Sequence, residues 1–296
     1  MAGQLRVYRR RIRSVQSTKK ITRAMELVAA SRISKAQRRV TQSKPYAEEI
    51  TRVITAVASS TNIDHPLTTE QDEPKRAAVL VITSDRGLAG AYSTNALRRA
   101  AELYATLRQE GKQALTYVIG NKGITYYRFR DRSVEQSWSG FSEQPIYENA
   151  KEVADTLIDK FTQDTSDGGV DEIHIIFTEF RSQLTQRAVA RRILPMVVQE
   201  TDEQPEGGPL PLYEFEPSGE GVLDALLPRY VESRIFAALL ESAASESAAR
   251  RRAMKAATDN ADEIIKDLTR MANAARQAEI TQEISEIVAG ADALAG

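Results

Sequence analysis

The chain has 296 residues, room for about two ordinary domains at ~150 residues each. Hydrophobic residues make up 42% and charged residues 27%, the proportions of a folded soluble protein, which excludes bulk disorder. The formal net charge of −1 hides a polarity: residues 1–44 carry 13 Lys and Arg against the single acid Glu26, so a basic arm joined to an acidic body calls for an acidic partner.

There is no cysteine, which removes disulfides, thiolate nucleophiles, cysteine-based zinc sites and iron–sulfur clusters. The only histidines, His65 and His174, are too few and too scattered for a histidine-rich metal site, and no cofactor is expected. No wholly apolar run is longer than that of Ala77 to Ile82, which falls far short of the ~20 residues a spanning helix needs. The Arg-rich start shares its composition with a transit peptide, but its pattern runs unbroken into a long helix, which argues against processing.

The first 60 residues read as one extended helix. Leu5, Tyr8, Ile12 and Val15 share a stripe, and Tyr46, Ile50, Val53 and Val57 form a second one. Pro45 between them is expected to kink or divide the helix. At ~1.5 Å per residue the helix would be about 85 Å long. Residues 61–76 are polar, with two prolines and no period, and read as a surface linker that carries His65.

From Ala77 the grammar changes to alternating strands and helices. Expected strands are 77–83, 114–120, 133–138 and 171–180, with one more before Pro195. Expected helices are Thr94–Gln109, Lys122–Phe129 and Tyr147–Phe161. This is a small Rossmann-like α/β domain, residues 77–215, with a mostly parallel sheet. Residues 216–296 are expected to form the closing helix, since Arg229 to Ala289 holds neither Pro nor Gly. Met254, Ala257, Ala261, Ile264, Leu268, Met271, Ala275 and Ala278 alternate three and four apart, a coiled-coil seam. Such a helix, roughly 100 Å long if straight, would leave its seam wet without a partner. The N-terminal helix is the natural candidate, giving an antiparallel two-helix coiled coil with the α/β domain inserted between its arms.

Motifs for chemistry are weak. SDRGLAG (84–90) follows the first expected strand, but lacks both the Lys-Ser/Thr pair of a phosphate loop and the Gly-x-Gly-x-x-Gly spacing. IGNKG (119–123) is weaker still, and both read most simply as tight strand-to-helix turns. No nucleophile–base pair can be assembled, so the sequence argues for no catalytic site of its own. Two rivals remain open at this point: a nucleic-acid-binding basic coiled-coil protein, weakened by the lack of aromatics in the basic zone, and a nucleotide-binding enzyme on the α/β domain.

Several long runs are more particular. IRSVQSTKKITRAMELVAASRISKAQ (12–37), TSDRGLAGAY (83–92), LPRYVESRIF (227–236) and RRRAMKAATDNADEIIKDLTRMANAARQAEITQEISEIVAGA (250–291) together resemble the γ subunit of F-type ATP synthases, bacterial type. The end ITQEISEIVAGADA (280–293) resembles the family signature. One departure is a small insertion around Thr165 to Gly169, and the cysteine-bearing regulatory insert of the chloroplast type is absent.

The resemblance implies a central-stalk rotor: terminal helices inside a hexamer of α and β subunits, and an α/β domain that holds the ε subunit and the c-ring. It implies a peripheral place at the cytoplasmic face of the bacterial plasma membrane and no catalytic residue of the chain's own. Arg276 and Gln277 match positions that hydrogen-bond a loop of β, and Thr281 shares Gln277's helix face. Met25 matches the position against a β lever segment. Tyr213, Phe215 and Glu216 match the foot that meets ε and the c-ring.

Overall fold

A computed structural model describes residues 2–60, 67–68, 70–196 and 219–295. The elements are α1 (Ala2–Ser60), β1 (Arg76–Ile82), α2 (Tyr92–Gln109), β2 (Gln113–Ile119), α3 (Asn121–Phe129), β3 (Gln136–Trp138), α4 (Tyr147–Thr162), β4 (Glu172–Phe180), β5 (Gln186–Leu194) and α5 (Gly219–Ala295). A one-turn 3-10 helix, Thr165–Asp167, occupies the expected insertion. No helix among the described residues is long and apolar enough to cross a membrane.

The chain forms two compact units. One joins Met1–Ala29 to Arg250–Gly296, and the other is Ala30–Ala249. These units cut both long helices in mid-length, whereas the sequence boundaries at 60, 76 and 215 follow the ends of elements.

In the larger unit, a five-stranded sheet has the order β3-β2-β1-β4-β5. β1 pairs in parallel with β2 and β4, β2 with β3, and only β5 is antiparallel. β1 is central and its side chains alternate between faces. Ala77, Val79 and Val81 pack with Leu97, Ala100 and Leu107 of α2 and Tyr127 of α3. Ala78, Leu80 and Ile82 face the other way, into a core with Val153 and Leu157 of α4. Ile50, Ile54 and Val57 of α1 and Leu227, Val231 and Ile235 of α5 complete that core. Both faces of β1 are thus covered, which explains why a strand of a parallel sheet reads as an unbroken apolar run.

Pro45 does not divide α1, which is one helix around it. Its ring lies on the exposed side, so the break in the helix is limited to one lost N–H bond. Of the second stripe, Ile50, Val53 and Val57 are shielded and pack in the core as expected, and only Tyr46 departs from it, its place taken by Ala47. Within this unit the shielded positions of α1 include Arg32, Ile33, Ala36, Val40, Ser43, Ala47, Ile50, Val53, Ile54, Ala56 and Val57, while Tyr46 is 51% exposed.

The turn after β2 shows what its glycines are for. Gly120 has φ +97°, and a Cβ there would stand 2.3 Å from the Thr83 carbonyl oxygen. A Cβ on Gly123 would meet Val118 Cγ1 at 2.7 Å. The Thr83 hydroxyl donates to Ile119 O at 2.8 Å and accepts from Gly123 N at 2.9 Å. Close packing of β1 against the β2–α3 turn requires both glycines.

Candidate functional site

The loop after β1 is where a doubly wound sheet would place a phosphate, and here a side chain takes that place. Asp85 Oδ1 accepts from the backbone N–H of Asn121, at the start of α3, at 3.2 Å. Its Oδ2 accepts from Gly140 N at 2.8 Å and Ser142 N at 2.9 Å. A carboxylate already satisfying these donors leaves them unavailable to a phosphate group. SDRGLAG and IGNKG are therefore structural turns that lock onto each other.

The smaller unit is an antiparallel helix pair. Thr22 meets Thr258, hydroxyl to hydroxyl, at 2.7 Å, and Lys19 pairs with Asp262, so moving back along α1 moves forward along α5. Each threonine can also donate to its own helix, Thr22 to Lys19 O at 3.0 Å and Thr258 to Met254 O at 2.9 Å. Each hydroxyl has one proton, so one of them gives up its helix bond to serve the other.

The shielded positions of α1 in this unit are Leu5, Tyr8, Ile12, Val15, Lys19, Thr22, Met25, Glu26 and Ala29, Met25 flanking the stripe. Glu26 is 7% exposed and accepts from Arg23 at 2.8 Å. On α5, from Met254 onward, they are Met254, Thr258, Ala261, Ile265, Leu268, Ala272, Ala275 and Glu279, with Ala257 and Asp262 half-buried beside them. This corrects the expected seam at alternate positions. Met254, Ala261, Leu268 and Ala275 lie in it, but Ile264 is 39% and Met271 47% exposed, and Ala278 is exposed. Their places are taken by Ile265, Ala272 and Glu279, while Ala257, half-buried like Ala275, lies beside the buried Thr258. Small and polar residues thus share the contact with Met254, Ile265 and Leu268, while other large apolar side chains lie outside it.

The antiparallel register brings the start of α1 beside the region of Glu279, and from Ile280 to Ala289 every side chain of α5 is exposed. Ile280, Ile284, Ile287 and Val288 are 45–71% exposed and recur along one helical face. Ile21, Leu27 and Val28 of α1 are exposed by more than half. Arg276, Gln277 and Thr281 are exposed too. Met25 is half-buried. Tyr213, Phe215 and Glu216 lie outside the described residues, as does His65. The outward apolar set escaped the sequence reading because periodicity alone assigns every large apolar residue to a seam. The signal that could separate the two is that Ile264 and Ile265 compete for one seam position.

A family model described as ATP synthase matches residues 4–294. The chain is 71% identical over 295 residues to the ATP synthase gamma chain of Parafrankia sp., covering 100% of this chain and 99% of that one. It is 67% identical over 294 residues to that of Acidothermus cellulolyticus, with coverage of 99% and 98%. Among solved structures it is similar to the rotor of the Euglena gracilis mitochondrial ATP synthase. There the TM-score is 0.67 at 14% identity, over 95% of this chain and 100% of that one. A chain of the central stalk and c-ring assembly of the Tetrahymena thermophila mitochondrial enzyme gives a TM-score of 0.59 at 21% identity, covering 80% and 99%.

Proposed function

The chain belongs to the ATP synthase γ-chain family, and from that premise we propose how its two units divide the work of a central-stalk rotor. The helix pair turns inside a collar of α and β subunits, and the α/β unit, with the Tyr213–Glu216 segment, holds the ε subunit and the c-ring. The chain contributes no catalytic residue. It works at the cytoplasmic face of the bacterial plasma membrane as a peripheral part of the complex.

One observation carries this reading. A two-helix unit that leaves Ile21, Leu27, Val28, Met271, Ile280, Ile284, Ile287 and Val288 in water has more outward apolar surface than a finished helix pair tolerates, and apolar surface of this kind marks a partner. A surrounding sleeve satisfies it on all sides. The same unit presents Arg6, Arg9, Arg10, Arg11, Arg13, Lys20 and Arg23 outward, which suits acidic partner loops.

The mechanism follows from asymmetry. Two helices of different sequence present a different chemistry in every direction around their axis, and cannot be complementary to three identical β subunits at once. Each β is biased toward a different conformation by its own contact energy with the rotor. A difference of ~1.4 kcal/mol changes nucleotide affinity tenfold, and the coupling is reciprocal: binding changes at β push on the rotor as rotation changes binding. Proton-driven rotation thereby becomes ATP synthesis, and hydrolysis runs the same cycle backwards.

The test is reconstitution. The purified chain mixed with α and β subunits should yield one stable complex with strong ATPase activity, and nucleic acid should not accompany it. A chain that stays separate from α and β, or that co-purifies with nucleic acid instead, would overturn the proposal in favour of the basic coiled-coil rival.

A further inference from the structure

We propose that the loop between β3 and α4 is a torsional pin, joining the α/β body to α1 through the Arg32–Glu143 ion pair; the inference rests on the rotor reading. The body is packed against α1 through Ile50, Ile54 and Val57, which share a core with the sheet. Ile50 and Arg32 are 18 positions apart along the helix, about 27 Å. If torque entered α1 only through that core, this length would wind up before the load moved on.

The β3–α4 loop shortens that compliant stretch. Arg32 forms an ion pair with Glu143, both side chains largely shielded, so the pair is less screened than a surface one. About two turns further along, Arg39 Nη1 donates to Pro145 O at 3.4 Å. A pin transmits force only if its seat is firm, and this seat is tied to two other loops. Asp85 Oδ2 accepts from both Gly140 N and Ser142 N, and Asp85 N donates to Ser142 Oγ at 2.9 Å. Asp85 Oδ1 meanwhile accepts from Asn121 N and Nδ2. One carboxylate thus fastens the loops after β1, β2 and β3 to one another. Ile146 N donates to Asn149 Oδ1 at 3.1 Å, fixing the loop's exit into α4. Arg32 and Glu143 are positioning residues: they touch no substrate, and they set how stiffly the body's rotation is passed into the helix.

The experiment uses the assembled complex, with α and β fixed to a surface and a probe on the α/β body. The chain has no cysteine, so Leu184→Cys, at an exposed turn, provides a unique attachment. With rotation halted by inhibitor, the width of the probe's angular distribution reports torsional stiffness. Arg32→Glu and Glu143→Arg should each broaden the distribution, and the double reversal should narrow it again toward wild type, since only a direct pair is rescued by exchange. Where a reversal prevents assembly, Glu143→Gln keeps the shape and removes the charge, and should broaden it too. An unchanged width in the single variants, or lower thermal stability without broadening, overturns the pin. Failure of the rotor reading is distinguishable, because the wild-type probe would then not turn with ATP.

Discussion

Glu172 is the most heavily engaged carboxylate among the described residues of the sheet. Its side chain is 5% exposed, Lys112 Nζ lies 2.8 Å from Oε1, His174 Nε2 lies 3.0 Å from Oε2, and Arg192 stands 3.6 Å away. Burial by itself would raise this carboxyl, but the hydrogen bonds from His174 and Lys112, with their charges, outweigh it and hold it down to about 2, against an ordinary 4.5. His174, which the sequence left without a role inside its strand, is thus a structural partner. Because the folded value is the lower one, the stabilisation is fully present above pH 4.5 and is lost as pH falls toward 2. Its size is on the order of 3 kcal/mol. Urea unfolding of the chain at a series of acidic pH values should show that loss, and Glu172→Gln should remove it from the slope while lowering stability at neutral pH. An acid slope identical in the variant would mean that the pairing contributes nothing.

The helix pair tests a one-residue shift in phase. Ile265 faces α1 and Ile264 does not, although the sequence pattern favours Ile264. A charge at Ile265 would be forced into a contact lined by Ala, Thr and Leu, at a cost of several kcal/mol, roughly what burying an unpaired charged group entails. Ile265→Glu should therefore lower the unfolding midpoint of the purified chain, and Ile264→Glu should leave it nearly unchanged. Equal effects would return the seam to the phase read from sequence. Strands β1, β2 and β4 were legible to within a residue or two, β1 as an unbroken apolar run and β4 by its alternation. The helices between them announced themselves by period. Pro45 misled because a proline with its ring on the exposed side can sit in a helix that packing holds together. The seam misled because Thr22, Lys19 and Ser43 carry no hydrophobic signal, while Ile264, Met271 and Tyr46 carry a strong one and face outward.

At the scale of the whole molecule, self-contained stability and function are written on different surfaces. The α/β unit closes its own core on both faces of the sheet, whereas the helix pair leaves several large apolar residues and many of its cations exposed. Arg276 and Gln277 lie on that outward surface, exposed, with no side-chain hydrogen bond described for either. They flank the seam residue Ala275 but occupy no shielded position themselves. Replacing both with Leu should leave the folded chain intact, because no helix–helix contact is removed and Leu is a good helix former. On the proposed rotor reading, in which these two side chains hydrogen-bond a β loop, the change would delete those bonds in the complex, one of them charge-assisted, worth roughly 1 to 3 kcal/mol each where water is excluded. Rotor position then discriminates less between β conformations, and affinity is uncoupled from angle. The expected result is a complex with normal subunit composition on a gel, a wild-type unfolding midpoint for the isolated chain, and ATP hydrolysis and synthesis lowered by tenfold or more, about what the loss of 1.4 kcal/mol of coupling implies. Wild-type turnover in a fully assembled complex would make these two residues ordinary surface, and would move the search for the β contact to the apolar residues beside them, Ile280 and Ile284.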